Sequence, residues 1–185
     1  MDTQVIIYHL EMTDPAELRS SPTPEIDRDC APGRGYASRV PHTRPFCIEV
    51  KQAKIPCPEL NRFLYTTVGA DWQWTDRLGW TREQWLQYVD RAEMETWVAY
   101  VAGTPAGYFE LEMQPGANVE IAYFGLLPQF IGRGIGGYLL TVAVQRAWAM
   151  GAARVWVHTC MMDHPGALSN YQARGFRIFK EETAS

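Results

Sequence analysis

The sequence predicts a mixed α/β domain, and three observations indicate it. Strand-like stretches of alternating or continuous apolar residues recur along the whole chain. Helical signals, with capping residues and apolar stripes, lie between them at about residues 56–69, 81–91 and 134–150. The 185 residues, 46% of them apolar, fit one domain with a substantial buried core.

The first part of the chain divides into an extension and the start of the main domain. Residues 4–12 are predicted to form a strand, and residues 46–53 alternate like one. Residues 13–45 are rich in Pro, Ser, Asp, Arg and Gly without any apolar period, which predicts a long irregular segment. We therefore expect residues 1–45 to form an N-terminal strand with an irregular extension, and residues 46–185 to form one domain.

Two helices follow in the first half of this domain. The first opens at Pro56, because proline near a helix start costs little, and Gly69 ends it. Thr81 and Gln84 form a capping box for the second helix. Trp80, just before this box, is expected to be its hydrophobic staple residue.

The second half supplies most of the expected sheet. Strands are predicted at residues 96–102, 106–113 and 119–127, and the third is apolar on nearly both faces, which is typical of a central strand. Gly125 within that strand is expected to mark a bulge. After the helix at 134–150, the remaining elements are a strand at 154–160, a short helix at 165–174 and a strand at 176–180.

Bulk properties exclude several classes of protein. The net charge of −4 and the absence of a clustered basic face argue against a nucleic-acid partner. No stretch approaches the roughly 20 apolar residues of a membrane span, and the N-terminus lacks a basic signal-peptide region. The cysteine spacing matches no metal site and no redox pair, so we expect no metal, free thiols and a cytoplasmic location. The cysteines are Cys30, Cys47, Cys57 and Cys160.

A glycine-rich segment precedes the helix at 134–150. Glycines at 132, 134, 136 and 137 exceed what a simple strand-to-helix turn needs. Glycine lets the backbone approach a ligand closely, and a helix start offers about four unpaired N–H groups with the positive end of the helix dipole. The segment therefore predicts a binding site for a pyrophosphate.

A dinucleotide is one candidate for that pyrophosphate. Gly132, Gly134 and Gly137 satisfy the G-x-G-x-x-G pattern. However, these glycines do not directly follow the strand, and no acidic residue ends the strand at 154–160. Only 48 residues follow Gly137, too few for a doubly wound sheet, and no Gly-Lys-Ser/Thr is present for a P-loop.

Two motifs resemble those of one family. Gln129-x-x-Gly132-x-Gly134 is similar to the cofactor-loop signature of the GNAT superfamily of N-acetyltransferases, and Tyr171-x-x-x-Gly175-Phe176 is similar to its closing element. The resemblance covers residues 96–180. It implies a mixed, mostly antiparallel central sheet, splayed between its fourth and fifth strands, with helices on both faces.

The resemblance also implies an acetyl-CoA site in the gap between strands 119–127 and 154–160. The main chain of Leu126 and Leu127 would bind the pantetheine, and the following loop would hold the pyrophosphate. The expected cofactor-binding residues are Leu126, Leu127, Gln129, Ile131, Gly132, Arg133, Gly134, Ile135 and Gly136.

Amide formation requires a group that takes a proton from the amine and one that protonates the departing thiolate. By the family pattern, Tyr171 is the candidate acid. Glu120 is the candidate base, acting through water, because strand alternation places it on the face of Ala122, Phe124 and Leu126.

Other residues could serve as the base. Glu110 and Glu112 are the rival carboxylates, and His158 and His164 are further candidates because imidazole is a common general base. His164 stands where many family members have Asn, so a cofactor contact is not carried over to it. Cys160 is interpreted as a small buried residue, because direct transfer needs no covalent step.

The tryptophan-rich loop at residues 71–80 is expected to shape the acceptor site. Trp72, Trp74 and Asp76 combine aromatic walls with a carboxylate, which suits a cation such as a substrate amine. Trp72 and Trp74 would point the same way in an extended segment. The alternative is that the tryptophans belong to the core and the charged residues cap helices.

Together, the residues and the resemblance predict transfer of an acetyl group from acetyl-CoA to a primary amine, by direct attack in a ternary complex. The acceptor is a small molecule or a protein amine. Two alternatives stay open: an acyl-CoA-binding sensor without turnover, and a transferase of a larger acyl group. The strand at 4–12 could pair with another subunit, which would give a homodimer.

Overall fold

A computed structural model describes residues 4–24 and 47–184 of the chain. From position 25 onward, the predicted irregular segment at 13–45 lies outside these residues, as does Cys30. The strands are β1 Val5–Met12, β2 Ile48–Gln52, β3 Met94–Val101, β4 Thr104–Gln114, β5 Asn118–Leu126, β6 Arg154–Cys160 and β7 Arg177–Ala184. The helices are α1 Pro58–Val68, α2 Arg82–Val89, α3 Ile135–Ala149 and α4 Ala167–Ala173.

The strands form one seven-stranded sheet in the order β2-β3-β4-β5-β6-β1-β7. Every neighbouring pair is antiparallel except β5 and β6, which are parallel. The predicted mixed, mostly antiparallel sheet is therefore confirmed.

Helices cover both faces of the sheet, as predicted. Asn61 of α1 donates a hydrogen bond to Thr96 Oγ1 at 2.7 Å, whereas Arg146 of α3 donates to Glu95 at 2.7 Å. Because neighbouring residues of a strand point to opposite faces, α1 and α3 pack on opposite sides of β3. None of the helices in the described residues is long and apolar enough to cross a membrane.

The N-terminal strand belongs to the same sheet. β1 lies between β6 and β7 and pairs with both, and Leu10 and Met12 are fully buried. The expectation that this strand offers a free edge to another subunit is therefore wrong. The chain that follows β1 contacts α3 and the end of α4. The Ser21 N–H donates a hydrogen bond to Thr141 Oγ1 of α3 at 2.9 Å, and the Arg19 N–H donates to the Arg174 carbonyl at 3.0 Å.

The local helix signals are confirmed where they rest on capping. Thr81 and Gln84 form both hydrogen bonds of the capping box at the start of α2. The ring of Trp80 packs on Trp85 with 5.1 Å between the centroids, which makes Trp80 the staple residue. The first helix begins at Pro58, two residues later than predicted.

The sheet opens between β5 and β6. Their pairing runs only from Asn118 opposite Arg154 to Glu120 opposite Trp156, although β5 continues to Leu126 and β6 to Cys160. The two strands therefore separate towards their carboxyl ends. They are the strands predicted at residues 119–127 and 154–160, so the predicted splay is confirmed.

The bulge in β5 is not at Gly125. Glu110 pairs with Tyr123 and Leu111 with Ile121, so Ala122 is the extra residue. Gly125 has a different reason to be glycine, because a Cβ there would collide with Val68 Cγ1 of α1.

Two glycines, Gly151 and Gly175, allow the energetic cost of a strained backbone to be measured separately from the cost of a steric collision. Gly151 and Gly175 both have positive φ, +89° and +105°, but only at Gly175 would a Cβ collide with a backbone atom, the Glu17 carbonyl oxygen. We expect Gly151→Ala to lower the free energy of unfolding by about 1–2 kcal/mol, and Gly175→Ala by about 1–3 kcal/mol more. Urea unfolding measures both, and equal losses would contradict the overlap.

Candidate active site

The gap between β5 and β6 opens into a cavity of about 550 Å³. Ile121, Phe124 and Leu126 of β5 line one wall, and Val157 and Cys160 of β6 line the other. From Ile121 to Leu126, β5 is paired with β4 on one side only, so its other side faces the cavity and a ligand could take the place of a strand there.

The glycine-rich loop forms one end of this cavity. After a short 3₁₀ turn at Pro128–Phe130, Gly132 and Gly134 adopt φ values of +80° and +75°, a backbone conformation that glycine adopts at no steric cost. Gly134 is the N-cap residue of α3. Ile131, Gly132 and Gly136 line the cavity, so the unpaired N–H groups at the helix start lie beside it.

Several of the predicted cofactor-binding residues do not line the cavity. The Leu127 N–H donates to the Ala106 carbonyl at 2.9 Å, the Leu127 carbonyl accepts from Phe130 at 2.9 Å, and its side chain is buried. Leu127 therefore has no free N–H for a ligand, unlike the expectation. Ile135 is buried in the core. Gln129, Arg133 and Gly134 belong to the loop but do not line the cavity.

Tyr171 of α4 lines the cavity and is 6% exposed. Its ring packs against Phe124 and Phe176, with centroid distances of 6.2 and 6.0 Å. Burial, and then the charge of Asp163, raise the pKa of its hydroxyl. The hydroxyl therefore keeps its proton at neutral pH, as a general acid requires.

Glu120 is on the other face of β5 from the one predicted. Because Ala122 is the bulge residue, strand alternation shifts, and Glu120 shares its face with Tyr123 rather than with Phe124. Glu120 does not line the cavity. Its carboxylate accepts from Gln114 Nε2 at 2.7 Å and contacts His158 Nδ1 at 3.1 Å.

His158, unlike Glu120, lines the cavity. Its side chain is 50% exposed. The hydrogen bond with Glu120 raises the pKa of His158, burial opposes this, and the charges of Glu120, Asp163 and Asp76 add to the increase. The structure thus brings two of the predicted base candidates, Glu120 and His158, together as a pair.

The rival carboxylates, Glu110 and Glu112, form contacts that stabilise the fold and do not belong to the candidate site. Glu110 is 1% exposed and accepts hydrogen bonds from Asn61 Nδ2 at 2.8 Å and from the Tyr88 hydroxyl at 2.7 Å. Burial raises the pKa of Glu110. Glu112 pairs with Arg91 at 2.7 Å. Neither carboxylate lines the cavity.

The tryptophan-rich loop forms the other end of the cavity, which Trp72, Trp74 and Asp76 line. The expected extended backbone is wrong, because Gly69–Asp71 form a 3₁₀ turn and Gln73 has a φ of +56°. The rings of Trp74 and Tyr123 lie 4.9 Å apart at an angle of 70°.

The aromatic cluster behind this loop already holds a cation of the chain itself. The Arg77 guanidinium lies 3.8 Å from the ring centre of Tyr88, 4.4 Å from that of Tyr123 and 4.6 Å from that of Trp80. It also lies 3.8 Å from Glu110 Oε2. Of the aromatic residues in this loop, only Trp72 and Trp74, which line the cavity, could therefore contact a substrate, because Trp80 already packs on Arg77.

Asp163 is a cavity residue that the sequence did not indicate. Its carboxylate accepts from Thr159 Oγ1 at 2.7 Å, from the Cys160 N–H at 3.0 Å and from Trp74 Nε1 at 3.4 Å. An aspartate three residues after a strand end is a common turn residue, so its sequence signal was only structural. Nearby, His164 Nδ1 accepts from the Gly166 N–H at 2.9 Å, which engages that ring nitrogen.

Comparison with known proteins agrees with this geometry. Residues 57–176 match the model of the Acetyltransferase (GNAT) family, so the chain belongs to that family, whose members are acyltransferases that use acyl-CoA. No curated protein matches the chain. Among the described residues, no group of three or more His, Cys, Asp or Glu side chains could hold a metal ion.

Solved structures share the fold. A GCN5-related N-acetyltransferase from Sphaerobacter thermophilus is 17% identical with a TM-score of 0.60, over 97% of this chain and 50% of that one. An IAA acetyltransferase from Bacillus cereus is 26% identical with a TM-score of 0.55, over 72% and 79% of the two chains. An aminoglycoside acetyltransferase from a soil metagenomic sample is 17% identical with a TM-score of 0.55, over 69% and 86%. The chain thus spans about half the length of the first of these proteins.

Proposed function

We propose that the protein transfers an acetyl group from acetyl-CoA to a primary amine, by direct attack in a ternary complex. One observation carries the proposal: a single cavity connects the glycine-rich loop, a protonated tyrosine, a histidine–glutamate pair and an aromatic pocket with carboxylates. Each of these features meets one requirement of amide formation from a thioester.

The loop and the open edge of β5 are the proposed cofactor site. Ile131, Gly132 and Gly136 would hold the pyrophosphate at the start of α3. Leu126 lines the gap and would contact the pantetheine through its main chain, as an added strand would. When bound, acetyl-CoA supplies the activated acyl group.

His158 and Tyr171 are the proposed proton carriers. Glu120 would accept a hydrogen bond from the Nδ1–H group of His158, which would leave Nε2 to take the proton of the amine. Glu120 is thus a positioning residue rather than the base itself. Tyr171 would protonate the departing thiolate from within the cavity.

Gly136→Asp tests the cofactor site. A Cβ at Gly136 would meet nothing closer than 3.8 Å, and an acidic residue suits the first turn of a helix, so the variant should fold as well as the wild type. Its charge would repel the pyrophosphate. We expect acetyl-CoA to raise the melting temperature of the wild type but not of the variant. An unchanged shift would place the cofactor elsewhere.

Thiol release from acetyl-CoA with a panel of amines tests the reaction, with the acetylated amine identified by mass spectrometry. Amine-dependent release supports the proposal. Stabilisation by acetyl-CoA without turnover of any amine would indicate a sensor, and faster turnover of longer acyl-CoA donors would indicate a transferase of a larger acyl group.

The pH profile distinguishes His158 from Glu120 as the base. Protonated imidazole cannot accept a proton, so kcat should fall as the pH drops through the raised pKa of His158. Glu120→Gln removes the largest cause of that increase, so the acid limb should move to lower pH. His158→Ala should remove the limb and lower kcat by about 100-fold.

The same amine at saturating concentration serves for all three proteins, so its own ionisation affects them equally. If Glu120 were the base, Glu120→Gln rather than His158→Ala would remove the limb.

A further inference from the structure

The charges around the acceptor end of the cavity are of one sign. Asp76 and Asp163 line it, whereas none of the described residues that line the cavity is a lysine or an arginine. Arg77, which follows Asp76 in the chain, has a side chain that is 13% exposed and lies between aromatic rings and Glu110. An anionic group on an acceptor would therefore meet two carboxylates and no permanent cation, which disfavours it strongly.

The two histidines of the cavity do not change this balance. His158 Nδ1 is engaged by Glu120, so a proton on this ring is already matched by a carboxylate. His164 Nδ1 accepts a backbone hydrogen bond, and its ring packs edge-on to Trp72 at 5.0 Å. Neither ring is an unpaired cation that could bind a carboxylate or a phosphate.

The walls at this end are aromatic and held in place. Trp74 packs at right angles to Tyr123 and also contacts Tyr65, at 5.6 Å between ring centroids. A Cβ at Gly69 would lie 2.5 Å from Trp74 Cβ, so this residue is glycine because the indole packs directly on the backbone. With Trp72 and Phe124 on the same cavity, these rings form a rigid apolar surface that suits a flat ring of a ligand.

Asp163 is the carboxylate best placed for an ammonium group. Both Asp76 oxygens already accept tyrosine hydroxyls, from Tyr65 at 2.7 Å and from Tyr123 at 2.9 Å, and Arg77 lies 3.6 Å away. Asp163 forms no ion pair with a lysine, arginine or histidine among the described residues, and one of its oxygens accepts only the 3.4 Å bond from Trp74. Asp163 lines the same cavity as Tyr171 and His158, the two proposed proton carriers, and its charge raises the pKa of both.

We infer that the acceptor is an arylalkylamine, a primary amine on a short linker to an aromatic ring, that carries no carboxylate or phosphate. The ring packs against Trp74 and Tyr123, and the ammonium group meets Asp163 before it gives up its proton to His158. This inference rests on the proposed function and specifies its substrate class.

Four acceptors test it: phenethylamine, phenylalanine, phenylalanine methyl ester and propylamine, each with acetyl-CoA and the wild-type protein. The ester keeps the bulk of the amino acid but removes its negative charge. We expect kcat/KM for phenethylamine to be at least 100-fold higher than kcat/KM for phenylalanine. It should be at least 10-fold higher than kcat/KM for propylamine. The ester should recover most of the loss seen with phenylalanine.

The variant Asp163→Asn keeps the size of the side chain and one acceptor oxygen, which can still accept from Thr159 and Cys160, but removes the charge and the 3.4 Å bond from Trp74. It should raise KM for phenethylamine at least 10-fold. It should also lower the ratio of kcat/KM for phenethylamine to kcat/KM for phenylalanine. Asp71→Asn, an exposed aspartate of the same loop that does not line the cavity, is the matched control and should change neither value.

The outcomes separate this inference from the proposed function. If no amine releases thiol, acyl transfer to amines is wrong. If amines react but phenylalanine or propylamine equals phenethylamine, only the substrate class is wrong.

Discussion

Replacing Arg77 with methionine should lower the free energy of unfolding by about 3–5 kcal/mol at pH 8, because it leaves the buried Glu110 carboxylate without its cation. Methionine fills part of the volume between the rings of Tyr88, Tyr123 and Trp80 but supplies no charge. Asn61 and Tyr88 would still donate to Glu110, which is not enough for a charge this deeply buried.

The loss should depend on pH in a defined direction. Burial raises the pKa of Glu110, so in the folded state it binds a proton at a pH where the unfolded chain has lost it. Stability due to this group is therefore highest below its ordinary pKa near 4.3 and falls as the pH rises towards the folded pKa. Without Arg77 that pKa rises further, so Arg77→Met should cost less at pH 5 than at pH 8.

Urea unfolding at the two pH values measures this difference, and two further variants sharpen it. The double variant Arg77→Met/Glu110→Gln removes both charges and should recover part of the loss. Arg82→Met breaks the exposed pair with Glu59, whose atoms are 2.6 Å apart, and should change stability little. Equal losses for Arg77→Met and Arg82→Met would show that the buried pair has no special role.

The same pair connects stability to the proposed acceptor site. Arg77 follows Asp76 directly, and Asp76 is held by the Tyr65 and Tyr123 hydroxyls. An arginine fixed in the aromatic cluster therefore fixes the loop that carries Trp74 and Asp76 to the cavity. We expect Arg77→Met to raise KM for the amine more than KM for acetyl-CoA.

Features that depend on neighbours in sequence were predictable. The capping box of Thr81 and Gln84 and the glycines with positive φ at 132 and 134 follow from short-range backbone chemistry. The splay between β5 and β6 was predicted from the family resemblance instead. The family motifs contain these same local requirements, and part of the loop that they mark, Ile131, Gly132 and Gly136, lines the cavity.

Features that depend on contacts across the fold were not predictable in the same way. The bulge at Ala122 has no glycine or proline to mark it, yet it changes the face on which Glu120 lies and so its role. Likewise, nothing in the run from Asp71 to Trp80 indicates that Arg77 is the cation inside the aromatic cluster, because its partners Tyr88 and Glu110 come from other elements.

The position of β1 shows the same limit. Its alternation identifies a strand but not its neighbours, and the open place between β6 and β7 exists only once the rest of the sheet has formed. In the structure, His9 of β1 lies opposite His158, and their rings are 6.1 Å apart. An N-terminal strand outside the matched residues 57–176 thus supports the strand that carries a proposed proton carrier.

Replacing Tyr171 with phenylalanine should lower kcat by about 100-fold or more, which is about 2.7 kcal/mol of transition-state stabilisation. The change removes one oxygen atom from a side chain whose ring packing on Phe124 and Phe176 is unchanged, so the fold and the cavity walls should persist. The hydroxyl keeps its proton because burial and the charge of Asp163 raise its pKa, and only a protonated hydroxyl can protonate a departing thiolate.

The kinetic constants separate this acid role from cofactor binding. An acid acts only in the transition state, so kcat and kcat/KM should fall together while KM for acetyl-CoA and its effect on melting temperature stay the same. Tyr138→Phe, a partly buried tyrosine of α3 that does not line the cavity, is the matched control and should retain wild-type kcat. If Tyr171→Phe instead raises KM for acetyl-CoA at unchanged kcat, Tyr171 holds the cofactor and another group protonates the thiolate.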